Sequence, residues 1–125
     1  MIENMTTELT MLGTGNATVT KCYNTCFTIK TGNDILLVDA GGGNGILGQL
    51  EKAGIAISEI HDMFVTHAHT DHILGVVWVI RMVAQRMQSG KYAGVFRVYG
   101  HDKVLQVLDW ICRMTLPKKI VQYLG

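Results

Sequence analysis

One short stretch constrains this chain more than any other: Thr66-His67-Ala68-His69-Thr70-Asp71-His72. It leaves the apolar run Met63-Phe64-Val65 and enters a long apolar segment that lasts to about Gln88. A buried strand that passes directly into a helix must turn at a defined place, and here that place carries four metal-binding groups. In extended backbone, residues two apart point the same way, so His67 and His69 can aim at one point. Asp71 and His72, at the helix start, can aim at a second point close by. Imidazole nitrogen and carboxylate oxygen suit borderline cations, Zn²⁺ foremost, with Mn²⁺ or Fe as alternatives. Shuffling this composition would produce H-x-H-x-D-H in roughly one chain of a few thousand. A plainer reading makes the stretch a polar loop whose Asp71 favours the helix N-terminus. That accounts for neither the His67/His69 pair nor His72.

The surrounding pattern predicts a layered α/β protein with a mixed sheet and flanking helices. Thr7–Leu12 reads as a strand ending in the turn Gly13-Thr14-Gly15-Asn16. Cys26–Lys30 and Asp34–Asp39 read as a hairpin across Thr31-Gly32-Asn33. Within it Ile35-Leu36-Leu37-Val38 is continuously apolar, which suits a strand buried on both faces. Helices are predicted over Ile46–Ala53, Asp71–Gln88 and His101–Met114, and strands over Met63–Val65, Val95–Tyr99 and Ile120–Leu124. The long helix carries one narrow polar stripe, Arg81, Gln85 and Gln88, and therefore packs under most of its circumference. On it Trp78, Met82 and Met87 are expected to serve the core. The glycines at 13, 15 and 41–43 suit tight strand-exit turns, with phosphate cradling as the alternative.

Charge excludes little. Eleven Lys+Arg against ten Asp+Glu give +1, yet residues 1–72 carry three basic and eight acidic groups, and 73–125 carry eight and two. The basic half is compatible with a phosphate-bearing substrate, or simply with a solvated surface. Arg81, Arg86, Lys91 and Arg97 lack the interleaved aromatics of single-strand binders. Cys22, Cys26 and Cys112 have no zinc-finger spacing and are expected to be buried, reduced thiols. Ile73–Ile80 is far too short to span a membrane, and no signal peptide is evident. The expectation is a cytoplasmic chain with no membrane partner.

His67-Ala68-His69-Thr70-Asp71-His72, followed by Gly75, resembles the signature of the metallo-β-lactamase superfamily. Leu12-Gly13-Thr14-Gly15, Leu37-Val38-Asp39-Ala40-Gly41 and the Val65–His72 segment together resemble its ribonuclease Z branch, in family order. The resemblance implies the αβ/βα sandwich fold, of which this chain is the N-terminal half. It also implies a zinc-dependent hydrolase acting on phosphodiesters such as tRNA precursors. His67 and His69 would be ligands of a first metal site, and Asp71 and His72 of a second. Asp71 would also orient or deprotonate the attacking water. Asp39 would stand behind the ligand loop and hydrogen-bond to it or to a ligand histidine; its plainer role is capping its own turn.

In the family, a third histidine, a bridging carboxylate and a final histidine complete the site. After His72 this sequence offers His101, Asp102 and Asp109, with His101-Asp102 at a predicted strand-to-helix corner and His61 expected as a surface or cap residue. Residues 1–125 are therefore expected to be the N-terminal portion of one truncated domain, binding zinc weakly and turning over little. Two alternatives stand beside the ribonuclease Z-like reading. One is a superfamily hydrolase for another ester, thioester, lactone or small phosphodiester. The other is a non-catalytic half that binds one metal or forms a homo-oligomer through an uncovered apolar face.

Overall fold

In the computed structural model, residues 6–124 are described. Their elements run β1 (Thr7–Gly13), β2 (Cys26–Thr31), β3 (Asp34–Val38), α1 (Gly45–Lys52), β4 (Ile60–Phe64), α2 (Thr70–Gln88), β5 (Arg97–Tyr99), α3 (Asp102–Thr115) and α4 (Lys118–Val121). The strands form a single sheet in sequence order. β1, β2 and β3 pair antiparallel, whereas β3, β4 and β5 pair parallel. The change of direction has a simple cause. A short hairpin at Thr31-Gly32 can only return antiparallel, while α1 and α2 each cross back and restart the next strand in the same sense.

Two alternating sets of side chains give the sheet two unlike faces. One set, including Cys26, Thr28, Ile35, Leu37 and Met63, is buried under Ile46 and Leu50 of α1, Val76, Val79 and Val83 of α2, and Leu108 of α3. The other set follows the register Leu9–Ile29–Leu36 and Met11–Phe27–Val38–Phe64–Tyr99. It is largely apolar, although the Leu36 row continues into Asp62 and Arg97; Val38 is buried, whereas Leu9 is 59% and Phe64 42% exposed. Met11 and Tyr99 of the same set are also exposed. The two-sided burial expected of Ile35–Val38 is met only in part, since Leu36 stays half-exposed.

The long helix packs against the sheet and against α3 and α4, and of its polar stripe Arg81 and Gln85 are half-buried and Gln88 is exposed. Ile120–Leu124 is not a strand. Pro117 stands at the N-cap of a helical turn that brings Ile120 into full burial beside Ala84, Cys112 and Leu116. An apolar pattern this short does not separate helix from strand, and packing on α2 decides. Trp78 also departs from expectation: it is exposed rather than in the core. Cys22 is exposed too, while Cys26 and Cys112 are buried. None of the described helices is long and apolar enough to cross a membrane.

Candidate metal centre

Parallel pairing of β3 with β4 places their carboxyl ends side by side, with Val38 opposite Phe64. Strand ends of this kind are where α/β sheets present their ligands. The ladder continues one step beyond each strand, since Asp39 N–H donates to Phe64 O (2.9 Å) and Val65 N–H to Tyr99 O (2.9 Å). Asp39 and Thr66 therefore face each other. Extended backbone carries the chain through His69, whose ψ is 152°, and α2 begins at Thr70.

Asp39 is 4% exposed and sits in the left-handed region, at φ 57°. Its carboxylate settles three donors. Oδ1 accepts from Thr66 N (2.8 Å), and Oδ2 accepts from the Thr66 hydroxyl (2.7 Å) and from His72 Nδ1 (2.8 Å). Because the Thr66 hydroxyl proton is committed to Asp39, its oxygen accepts from His67 Nδ1 at 2.9 Å. Both rings are thus anchored through Nδ1, which turns Nε2 toward the cluster, the arrangement a metal-ligating histidine needs.

Ligand atoms of His67, His69 and Asp71 lie within 4.8 Å of one another. His72 belongs to the same cluster. Its Nε2 stands 3.0 Å from Asp71 Oδ2 and its ring 4.0 Å from that of His67. Imidazole nitrogens and a carboxylate, oriented from behind by a buried acid and a hydroxyl, fit a divalent cation. His101 is elsewhere: its Nδ1 caps α3 by accepting from Lys103 N (3.4 Å), and Asp102 is a first-turn acid. His61 is half-buried against Tyr92, whose hydroxyl lies 2.9 Å from its Nδ1 and donates to Ile60 O.

A second layer holds the corner Ala40–Gly43 against the cluster. The Tyr23 hydroxyl bonds to Ala40 O (2.6 Å) and Gly43 O (2.9 Å), and Asn24 Oδ1 accepts from Gly42 N (3.1 Å). Burial pushes the Tyr23 phenol up to about 12. Gly75 lets α2 reach this corner: a Cβ there would lie 1.9 Å from Ala40 O, and its N–H donates to Gly41 O (2.8 Å). Thr66, Tyr23 and Asn24 were not legible as supporting residues. Only Thr66 carried a signal, a hydroxyl directly before the first histidine.

A mixed sheet with helices on one face, bearing an H-x-H-x-D-H loop at the ends of parallel strands, is a metallo-β-lactamase fold. Within that class, the chain belongs to the family described as Anti-Pycsar protein Apyc1, whose model matches residues 7–110. Among curated relatives, a ribonuclease Z from Methanothermobacter thermautotrophicus is 36% identical over 108 residues, covering 86% of this chain and 33% of that one. An anti-Pycsar protein Apyc1 from Bacillus phage 010DV004 is 36% identical over 72 residues, covering 57% and 27%. The crystal structure of the short form of human tRNase Z superposes with a TM-score of 0.69 at 22% identity, over 90% of this chain and 42% of that one. The chain thus spans about a third of the length of the curated relatives it matches. In a chain of this fold, the His67–His69–Asp71 cluster supplies donors that fit a divalent metal.

Proposed function

We propose that residues 1–125 are the N-terminal, metal-binding portion of a zinc-dependent phosphodiesterase resembling ribonuclease Z, with RNA as its substrate. The convergence of His67, His69 and Asp71 within 4.8 Å, next to His72, carries this reading. His67 and His69 would hold one zinc, and Asp71 and His72 a second. When bound, such ions lower the pKa of an attacking water and stabilise charge on phosphoryl oxygens. The chain's own contribution is positional. Asp39 and Thr66 hold Nε2 of His67 and His72 toward the site, and Asp71 accepts the water's proton or aligns the water for attack. Mn²⁺ or Fe suits the same donors.

Zinc uptake by the 125-residue chain tests the site by equilibrium dialysis. Uptake that falls at least tenfold in His67→Ala supports it, and uptake indifferent to both His67→Ala and His69→Ala overturns it. Only four ligand positions are supplied here, so slow turnover is expected; rates typical of intact enzymes, lost in His67→Ala, would overturn the partial-site reading alone. The family match over residues 7–110 favours a second reading, a role like that of the phage anti-Pycsar protein. Zinc-loaded protein that leaves precursor tRNA intact but cleaves a small phosphodiester favours this second reading.

A further inference from the structure

Asp71, Leu74, Trp78 and Arg81 follow one another on α2 at spacings of three and four, so they share one face of the helix. Asp71 belongs to the metal cluster. The other three line a groove of about 310 Å³, together with Gly42, Gly43 and Ile111, a size within the range of small-molecule sites. At its Gly42 end the groove adjoins the first turn of α2. A Cβ on Gly42 would lie 3.5 Å from Thr70 O and 3.8 Å from Asp71 Cα.

Its chemistry is specific. The Trp78 indole is 37% exposed, and the Arg81 guanidinium lies 5.7 Å from its ring centre. A partly exposed indole with a guanidinium over its ring suits a flat ring attached to an anion. Stacking on an aromatic with an adjacent arginine is how single nucleotides are gripped. Seven residues separate Asp71 from Trp78, about 10 Å of helix rise, comparable to the reach from a nucleotide's phosphate to its base. We propose that this groove is the subsite for the base that flanks the scissile phosphodiester, with Trp78 stacking on that base and Arg81 meeting the next phosphate. The assignment rests on the phosphodiester reading of the metal cluster.

Trp78 and Trp110 are the two tryptophans, so a Trp110→Phe background makes Trp78 the sole fluorescent reporter. Uridine and adenosine 5′-monophosphate are titrated in, with uridine and inorganic phosphate as half-ligand controls. Saturable quenching by the nucleotides is expected, with half-saturation raised about tenfold in Arg81→Gln. Gly43→Leu should do the same with an unchanged unfolding midpoint, because a Cβ there meets nothing within 4 Å. Quenching that survives in His67→Ala while zinc uptake is lost supports the groove independently of the metal. Three results overturn it: no saturable quenching; equal effects from inorganic phosphate alone; or a dimer dissolved by Trp78→Ala with no response to nucleotide. Zinc-dependent cleavage with an unquenched Trp78 would retain the metal reading and remove this subsite.

Discussion

The two faces of the sheet both carry large apolar residues, and these meet opposite fates. Leu37 of β3 is fully buried beneath the helices, whereas Phe64 of the adjoining β4 stands 42% exposed on the other side. Apolar content alone therefore does not say which face is core; what the crossings α1 and α2 cover decides it. The covered face also makes the site. Packing of α2 against the Ala40–Gly41 corner through Gly75 holds the helix start, with Asp71 and His72, over the ends of β3 and β4.

The contrast is broken most directly by shortening one residue on each face. Leu37→Ala removes a fully buried side chain and is expected to cost about 2–5 kcal/mol in urea unfolding. Phe64→Ser is expected to stay within about 0.5 kcal/mol, while reducing binding of a hydrophobic dye and any concentration-dependent association. Equal losses at the two positions would mean that the Phe64 face is as tightly packed as the Leu37 face.

Asp39→Ala probes the boundary between the faces. It removes the acceptor for Thr66 N, the Thr66 hydroxyl and His72 Nδ1, and leaves alanine at φ 57°. A loss of about 2–3 kcal/mol is expected from the orphaned donors, with a 10–100-fold fall in zinc affinity as the ring of His72 loses its orientation. Unchanged zinc affinity in a folded variant would reduce Asp39 to a turn acid.

Thr66 separates orientation from stability more finely. Thr66→Val keeps the shape and deletes the hydroxyl that accepts from His67 Nδ1. Stability should fall by about 1 kcal/mol and zinc affinity about tenfold, with Thr66→Ser restoring both. In the imidazole NMR spectrum of the metal-free protein, His67 should lose its Nδ1–H preference in the valine variant and regain it in the serine variant.

How much of this was legible follows from the range of the physics. The turn from strand to helix at Thr66–His72 and the ligating character of its four groups are local, and five strands and three helices follow from local pattern. Ile120 was misread because four apolar residues beside Pro117 carry no distinguishing period, and contact with Ala84 and Cys112 decides their state. Trp78 reads as core because it lies on a long helix with only a narrow polar stripe, yet the face it shares with Leu74 is left open. Asp39 was visible as a strand-end acid. Its partners Thr66 and His72 lie 27 and 33 residues away, and no local pattern reports a contact at that range.

The smallest effect concerns pH. Tyr23 fastens the Ala40–Gly43 corner, and Tyr92 ties the loop after α2 to β4 through Ile60 O. Burial raises both phenols from 10.0 to about 12, with the charge of Asp62 adding to the effect at Tyr92. Between these values the unfolded chain has released the two protons and the folded chain still holds them, so stability falls as pH rises from 10 toward 12. Below pH 10 both states are protonated and these groups add no slope. Buried Cys26 and Cys112, raised from 9.0 to about 12 and about 11, pull in the same direction from pH 9 upward. Tyr23→Phe should flatten part of this alkaline slope while costing about 1 kcal/mol at pH 7 for the lost hydrogen bonds. Urea midpoints measured from pH 7 to 11 decide the point: a Tyr23→Phe curve parallel to the parent's would show that the phenol does not hold its proton in the fold.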